Sequence, residues 1–292
     1  MDITISDGKL SVGLTGEGGS LTSIKRDGVE YLWQADPAVW SGQAPICFPV
    51  CGGLRDGRAV TASGKKVSLA RHGFARSSTF ELVESSQNTA TYRLVSSEAT
   101  LAQYPFAFTL DASYAVANGR LTVTYSVTNT GDEDMPFFIG GHPGFRCPIA
   151  DGESYDDYLV RFEKPETSTL CRAVPSTGLI DVEDREESPT AGTDVLPITH
   201  DLFGFAEKIY DVLESRSATL TNQAGDRGVR LEFTDFDYLI VWSKPTGDFV
   251  AIEPWGGLST CSDEDDVLEH KRGCIVAAPG QTVTRSFTIE PF

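Results

Sequence analysis

The sequence predicts an all-β protein built as a large antiparallel β-sandwich. Three observations predict it: period-two apolar patterning, turn residues that punctuate the apolar runs, and the lack of any long capped helical segment. LTVTYSVTN at 121–129, ATLTN at 218–222, VRLEFTDFDYLIVWS at 229–243 and TVTRSFTIE at 282–290 concentrate Val, Ile, Thr and aromatic residues, whose branched or flat side chains suit a pleated surface. Each of these segments reads as antiparallel strand. The best short helix lies at 201–214, where Asp201 would cap the run LFGFAEKIYDVL. Between them, TGLIDVEDREESPTAGTDVLP at 177–197 carries an acidic run between Gly and Pro breakers and reads as a solvated surface loop. No internal repeat, low-complexity tract or composition shift divides the chain, so residues 1–292 are expected to form a single domain.

Composition narrows the function. With 40% hydrophobic and 23% charged residues, the chain has enough apolar material for a sizeable core. A net charge of −18 argues against a nucleic-acid partner, because phosphate backbones need concentrated Lys and Arg. The N-terminal MDITISDGKLSVGLTGEGG has neither the basic start nor the apolar run of a secretory signal. No stretch approaches the roughly 20 apolar residues of a membrane span. A soluble, cytoplasmic protein is therefore expected, with no membrane partner. Cys47, Cys51, Cys147, Cys171, Cys261 and Cys274 stand singly, without CxxC or zinc-site spacing, and read as reduced, mostly buried thiols; no metal site is expected. The DEDD run at 263–266 lacks the interleaved spacing and Gly of a calcium loop and reads as solvated.

Three settings carry possible chemistry. In IGGHPGF at 139–145, His142 follows two glycines and precedes Pro143 and Gly144, a bend that suits either a turn hydrogen bond or the close approach of a ligand. His72, in RHGFAR at 71–76, stands between Arg71 and Arg76, which suit hydroxyls or a phosphate. Glu253 ends the apolar run of DFVAIEPWGG at 248–257, where Pro254 is expected to stop the ladder. A carboxylate there is costly unless paired or functional, and desolvation raises its pKa toward the range of a general base. Trp255 offers a flat apolar surface for the C–H face of a sugar, or core packing. There is no GxSxG elbow, Walker loop, strand-linked GxGxxG or HExxH, so the serine-nucleophile, nucleotide and zinc-peptidase classes have no motif.

LWQADPAVWSGQAPICFPVCGGLRDG at 32–57, KKVSLARHGFARSSTF at 65–80, YPFAF at 104–108, the GGHPGF segment, WSKPTGDFVAIEPWGG at 242–257 and APGQTVTRSFTI at 278–289 together resemble the aldose 1-epimerases, in particular their LacX-like branch. The resemblance runs through nearly the whole chain in order. It implies a galactose mutarotase-like sandwich with its site in a groove across one sheet, and interconversion of the α and β anomers of an aldohexose or hexose phosphate. Matched to the family's HGFAR, GHPxF and EPW motifs, His142 is implied as general acid, Glu253 as general base, His72 as a substrate-binding histidine and Arg76 as a hydroxyl or phosphate contact.

Such chemistry needs one proton given to the ring oxygen and one taken from the anomeric hydroxyl, so no metal or organic cofactor is required and a small sugar is the expected partner. His142 would start protonated and Glu253 ionised, giving a bell-shaped pH dependence. Two departures stand out. The arginine of the family's GRL falls on Gly53 in the GGL at 52–54, which leaves Arg55, two residues on, as a replacement candidate for substrate binding. Ala206 stands where relatives often carry Asp. A noncatalytic carbohydrate-binding or sensing protein, or another carbohydrate-active enzyme on the same fold, is the alternative. The sequence carries no signal for an oligomeric state.

Overall fold

A computed structural model describes residues 1–190, 192–204 and 206–292. The fold is all-β, dominated by two antiparallel sheets. The nine-stranded sheet runs in the spatial order Val195–Pro197, Tyr158–Phe162, Ser217–Asn222, Gly228–Glu232, Thr282–Pro291, Arg120–Asn129, Phe108–Ala117, Thr89–Val95, Glu81–Ser85. At its centre, Phe108–Ala117 and Arg120–Asn129 form a hairpin whose inward and outward residues alternate along both strands. Asn118 and Gly119 close it with φ of 57° and 77°, the paired left-handed conformations whose twist matches that of the strands.

The eight-stranded sheet carries the candidate site. Its path runs Ile180–Glu186, Leu170–Ala173, Lys208–Tyr210, Tyr238–Trp242, Phe249–Trp255, Gly140–Gly141, Ile46–Cys47, with Gly144–Arg146 also paired to Phe249–Trp255. Aromatic rings bridge the two sheets: Phe162 and Tyr210 lie 4.8 Å apart, and Phe48 and Phe108 lie 4.9 Å apart. The core is thus the layer between the sheets. Four short strands, Ile3–Ser6, Leu10–Leu14, Leu21–Arg26 and Val29–Glu30, form a separate sheet at the N-terminal end. No helix among the described residues is long and apolar enough to cross a membrane.

Several expectations are corrected. Residues 229–243 form two strands in different sheets, with the turn around Phe233–Phe236 carrying the chain across. The segment 177–197 is not simply a loop: Ile180–Glu186 pairs with Leu170–Ala173, and Val195–Pro197 pairs with Tyr158–Phe162. Its charged residues suit an edge strand, where one flank meets water. In 201–214 the helix is one turn, His200–Phe203, capped by Thr199 rather than Asp201, and it gives way to the strand Lys208–Tyr210. Ala191 and Phe205, within those two segments, lie outside the described residues.

Pro254 does not end its strand. It pairs with Leu239, and Trp255 continues the ladder opposite Tyr238. The alternating donors Ile252 and Gly256 reach the Pro143 and Ile139 carbonyls, so the missing Pro254 N–H faces the short Gly140–Gly141 strand, away from the Tyr238–Trp242 ladder. Nor is the acidic run at 263–266 wholly solvated. The Glu264 carboxylate is buried and accepts from Lys271 Nζ at 2.8 Å and from the Cys261 and Arg272 amides, each at 2.9 Å.

Candidate active site

The register of Phe249–Trp255 against Tyr238–Trp242 builds the floor. Ile240 lies opposite Glu253, Trp242 opposite Ala251 and Tyr238 opposite Trp255, so these side chains share one face of the sheet. Ile240, Trp242, Glu253 and Trp255 line a cavity of about 370 Å³. His142 enters it from the segment that follows Gly140–Gly141, its amide donating to the Pro45 carbonyl at 3.1 Å.

The glycines flanking His142 make room for protein rings rather than for a ligand. A Cβ at Gly141 would come 2.8 Å from Phe287, and one at Gly144 would come 2.5 Å from Trp40. His72 reaches the same cavity from a strained backbone with φ of 65°. Its Nδ1 accepts from the Gly52 amide at 3.2 Å, which leaves the ring proton on Nε2.

His142 Nε2 and Glu253 Oε2 are 3.2 Å apart, with Glu253 only 1% exposed and His142 8%. Their alignment is not that of a hydrogen bond. Glu253 Oε2, His142 Nδ1 and Trp255 Nε1 are all buried without a hydrogen-bond partner among the described residues. Three such atoms in one cavity are expensive for a fold and suited to a polar ligand. Burial pushes the Glu253 carboxyl well up, with the negative charge of Glu207 adding to it, and pushes His142 down to about 3. Burial also holds His72 well below the usual histidine range, with His142 adding to it. The unliganded pair therefore favours neutral imidazole and neutral carboxyl. Burial of the unliganded site thus opposes the charged His142 and ionised Glu253 that the expected chemistry calls for.

The structure thus brings His72, Arg76, His142, Glu253 and Trp255 to one cavity, with Arg71 at its mouth. It does not bring Arg55. That guanidinium is held by Asp266 at 3.0 Å and by the Cys261 and Glu264 carbonyls, outside the cavity. This corrects the expectation that Arg55 replaces the family arginine. Gly53 faces open space, with nothing within 4 Å of a Cβ there.

The lining residues that were not singled out from sequence include Trp40, Glu207 and Trp242. Arg71 clamps Glu207 at 2.9 Å and donates to the Gly178 carbonyl at 3.1 Å. Glu207 is one residue beyond Ala206, so an acidic group does reach the cavity from that region. No described carboxylate pairs with Arg76.

Comparison with known proteins gives a consistent result. The sequence matches the aldose 1-epimerase family over residues 1–290. It is 38% identical to the plasmid-encoded protein LacX of Lactococcus lactis subsp. lactis, over 99% of each chain. The structure superposes on a galactose mutarotase related enzyme from Lactobacillus acidophilus with a TM-score of 0.91 and 30% identity, covering 100% of this chain and 97% of that one. A galactose mutarotase-like protein from Lactobacillus casei gives the same TM-score of 0.91 and 30% identity, covering 100% of both chains.

Proposed function

The chain belongs to the aldose 1-epimerase family of isomerases, and from that premise we propose that it interconverts the α and β anomers of an aldohexose, free or phosphorylated, with His142 and Glu253 handling the protons. The observation that carries the reading is the 3.2 Å approach of His142 Nε2 to Glu253 Oε2 on the floor of a cavity with three unpartnered buried polar atoms.

Anomerisation breaks and remakes one bond. The anomeric hydroxyl loses its proton, its oxygen forms a carbonyl with C1, the C1–O5 bond breaks and O5 takes up a proton. Rotation about C1–C2 and reversal of both transfers closes the ring on the other face. Acid and base must therefore lie close together, because O1 and O5 share one carbon.

At rest the His142–Glu253 pair holds one dissociable proton, and burial favours it on Glu253. Sugar hydroxyls donating to the carboxylate offset its desolvation and let that proton pass to His142, the form in which imidazolium protonates O5 while carboxylate takes the O1 proton. The site's net charge is the same before and after. The neutral His72, with its proton on Nε2, serves as a hydrogen-bond donor to the sugar. Glu207, fixed by Arg71, is an acceptor for a hydroxyl, and Trp255 Nε1 is a further donor.

Polarimetry on freshly dissolved α-D-glucose, α-D-galactose and their 6-phosphates tests the reading. Acceleration lost on Glu253→Gln, about a hundredfold or more for removal of a general base, is the expected result. Binding without acceleration of any of the four sugars refutes it in favour of a carbohydrate-binding protein. Arg76, paired with no carboxylate among the described residues, is the group that sorts the substrates: Arg76→Ala raises KM selectively for phosphorylated sugars if those are preferred.

A further inference from the structure

A histidine that transfers protons is ordinarily oriented by a hydrogen bond on its second ring nitrogen. His142 has none from another residue: its Nδ1 is buried and no other described group partners it, its own backbone being the one hydrogen-bonding group that favours its charged form. The backbone bond to the Pro45 carbonyl fixes the main chain but not the ring, whose rotation about Cβ–Cγ is intrinsically soft. Packing must supply the orientation.

Trp40 stacks on the imidazole, with centroids 5.1 Å apart and planes at 27°. Trp242 and His72 meet the ring edge-on, at 5.7 Å and 5.4 Å. Trp40 therefore contributes the stacked contact of the three, and it comes from the irregular segment 33–45 rather than from a sheet. That segment is built to hold an indole. Trp33 Nε1 donates to the Trp40 carbonyl at 2.7 Å, and the Trp40 amide donates to the Asp36 carbonyl at 2.8 Å. Phe249 stacks on the indole at 5.1 Å and Trp242 meets its edge at 5.4 Å. Gly42 and Gly144 leave the space it fills, since a Cβ at either would come within 2.6 Å and 2.5 Å of it.

We propose that Trp40 is the positioning residue of His142, holding the imidazole by ring stacking in the role that a hydrogen-bonded partner has elsewhere. The proposal rests on reading His142 as a proton-transfer residue. Its effect is not one of charge. Glu253 faces the imidazole from the floor and His72, Arg71 and Arg76 from the 71–76 segment, with Glu207 at the mouth, whereas Asp36 is the one charged residue of segment 33–45 and is exposed. The indole instead fixes the ring plane and keeps water from it. Without it the imidazole turns and hydrates, and its proton affinity rises toward the ordinary histidine range.

Kinetics of Trp40→Ala, Trp40→Leu and Trp40→Phe test this, together with imidazole NMR titrations of the substrate-free proteins, which are tractable with four histidines in the chain. Ala and Leu remove the aromatic face. Both are expected to lower kcat about tenfold or more, the cost of a misoriented group, with KM within about threefold. The acid limb of kcat and the His142 titration move to higher pH in both. Phe, which keeps a ring to stack, restores kcat to within about threefold and the wild-type titration. A rise in KM with kcat and acid limb unchanged overturns the proposal and makes Trp40 a sugar platform. Were the wild-type protein inactive on every aldose, the functional reading would fail, while an unmoved His142 titration in the folded Leu variant would refute the positioning role separately.

Discussion

Replacing His142 by Gln is expected to make the protein less sensitive to acid. Burial lowers the folded imidazole from its ordinary value of 6.5 to about 3, so below pH 6.5 the unfolded chain binds a proton that the fold refuses. Stability contributed by the neutral ring is complete above 6.5 and is lost as pH falls toward 3, at about 1.36 kcal/mol per unit once the unfolded histidine is charged. Between pH 7 and pH 5 the wild type therefore loses about 2 kcal/mol that the His142→Gln protein keeps. His72, also lowered, adds loss of the same sign, and Glu253, raised, acts oppositely; both are present in the two proteins and cancel in their difference, apart from the share of the His72 lowering that His142 itself causes, which acts in the same direction as the predicted gap. Urea unfolding at the two pH values measures that difference. If the stability gap between the proteins is the same at pH 5 as at pH 7, to within about 0.5 kcal/mol, His142 titrates in the fold as it does in the unfolded chain and its assignment to a dry site is wrong.

Two further outcomes follow from the same physics. Glu253→Gln should lose activity yet gain stability relative to wild type in alkali: the raised carboxyl stabilises the fold below its unfolded value and that contribution disappears as pH rises through the folded one, which thermal unfolding at pH 9 against pH 6 detects. Lys271→Ala should cost about 3–5 kcal/mol in urea unfolding, because Glu264 and Lys271 are 4% and 2% exposed and loss of one partner leaves a buried charge; a loss under about 1 kcal/mol would mean that the pair is solvated.

The sheets were legible where local pattern decides structure. Leu121–Asn129 alternates because one face of a central strand is buried, and that alternation is written in the residues themselves. Glu253 was legible for a related reason: a carboxylate inside an apolar strand violates the pattern, and the violation marks the site. Trp40 and Glu207 were not, because each acquires its role from distant neighbours. Trp40 is an aromatic in an irregular segment until Gly144 leaves room for it beside His142, and Glu207 reads as a surface charge until Arg71 holds it at the cavity. Arg55 failed in the opposite way. Its spacing suited the site, but Asp266, more than 200 positions later, captures it.

The place of Thr282–Pro291 in its sheet has a consequence for synthesis. It lies between Gly228–Glu232 and Arg120–Asn129, pairing with both, although it is translated after every other strand of that sheet. At roughly 5–20 residues per second a ribosome needs on the order of 15 to 60 s to reach it. Until then the two halves of the sheet are separate, and the strands on either side of the gap offer unpaired edges to any neighbouring chain. A nascent chain stalled before this point would hold every lining residue of the candidate cavity and yet lack the strand that joins its supporting layer.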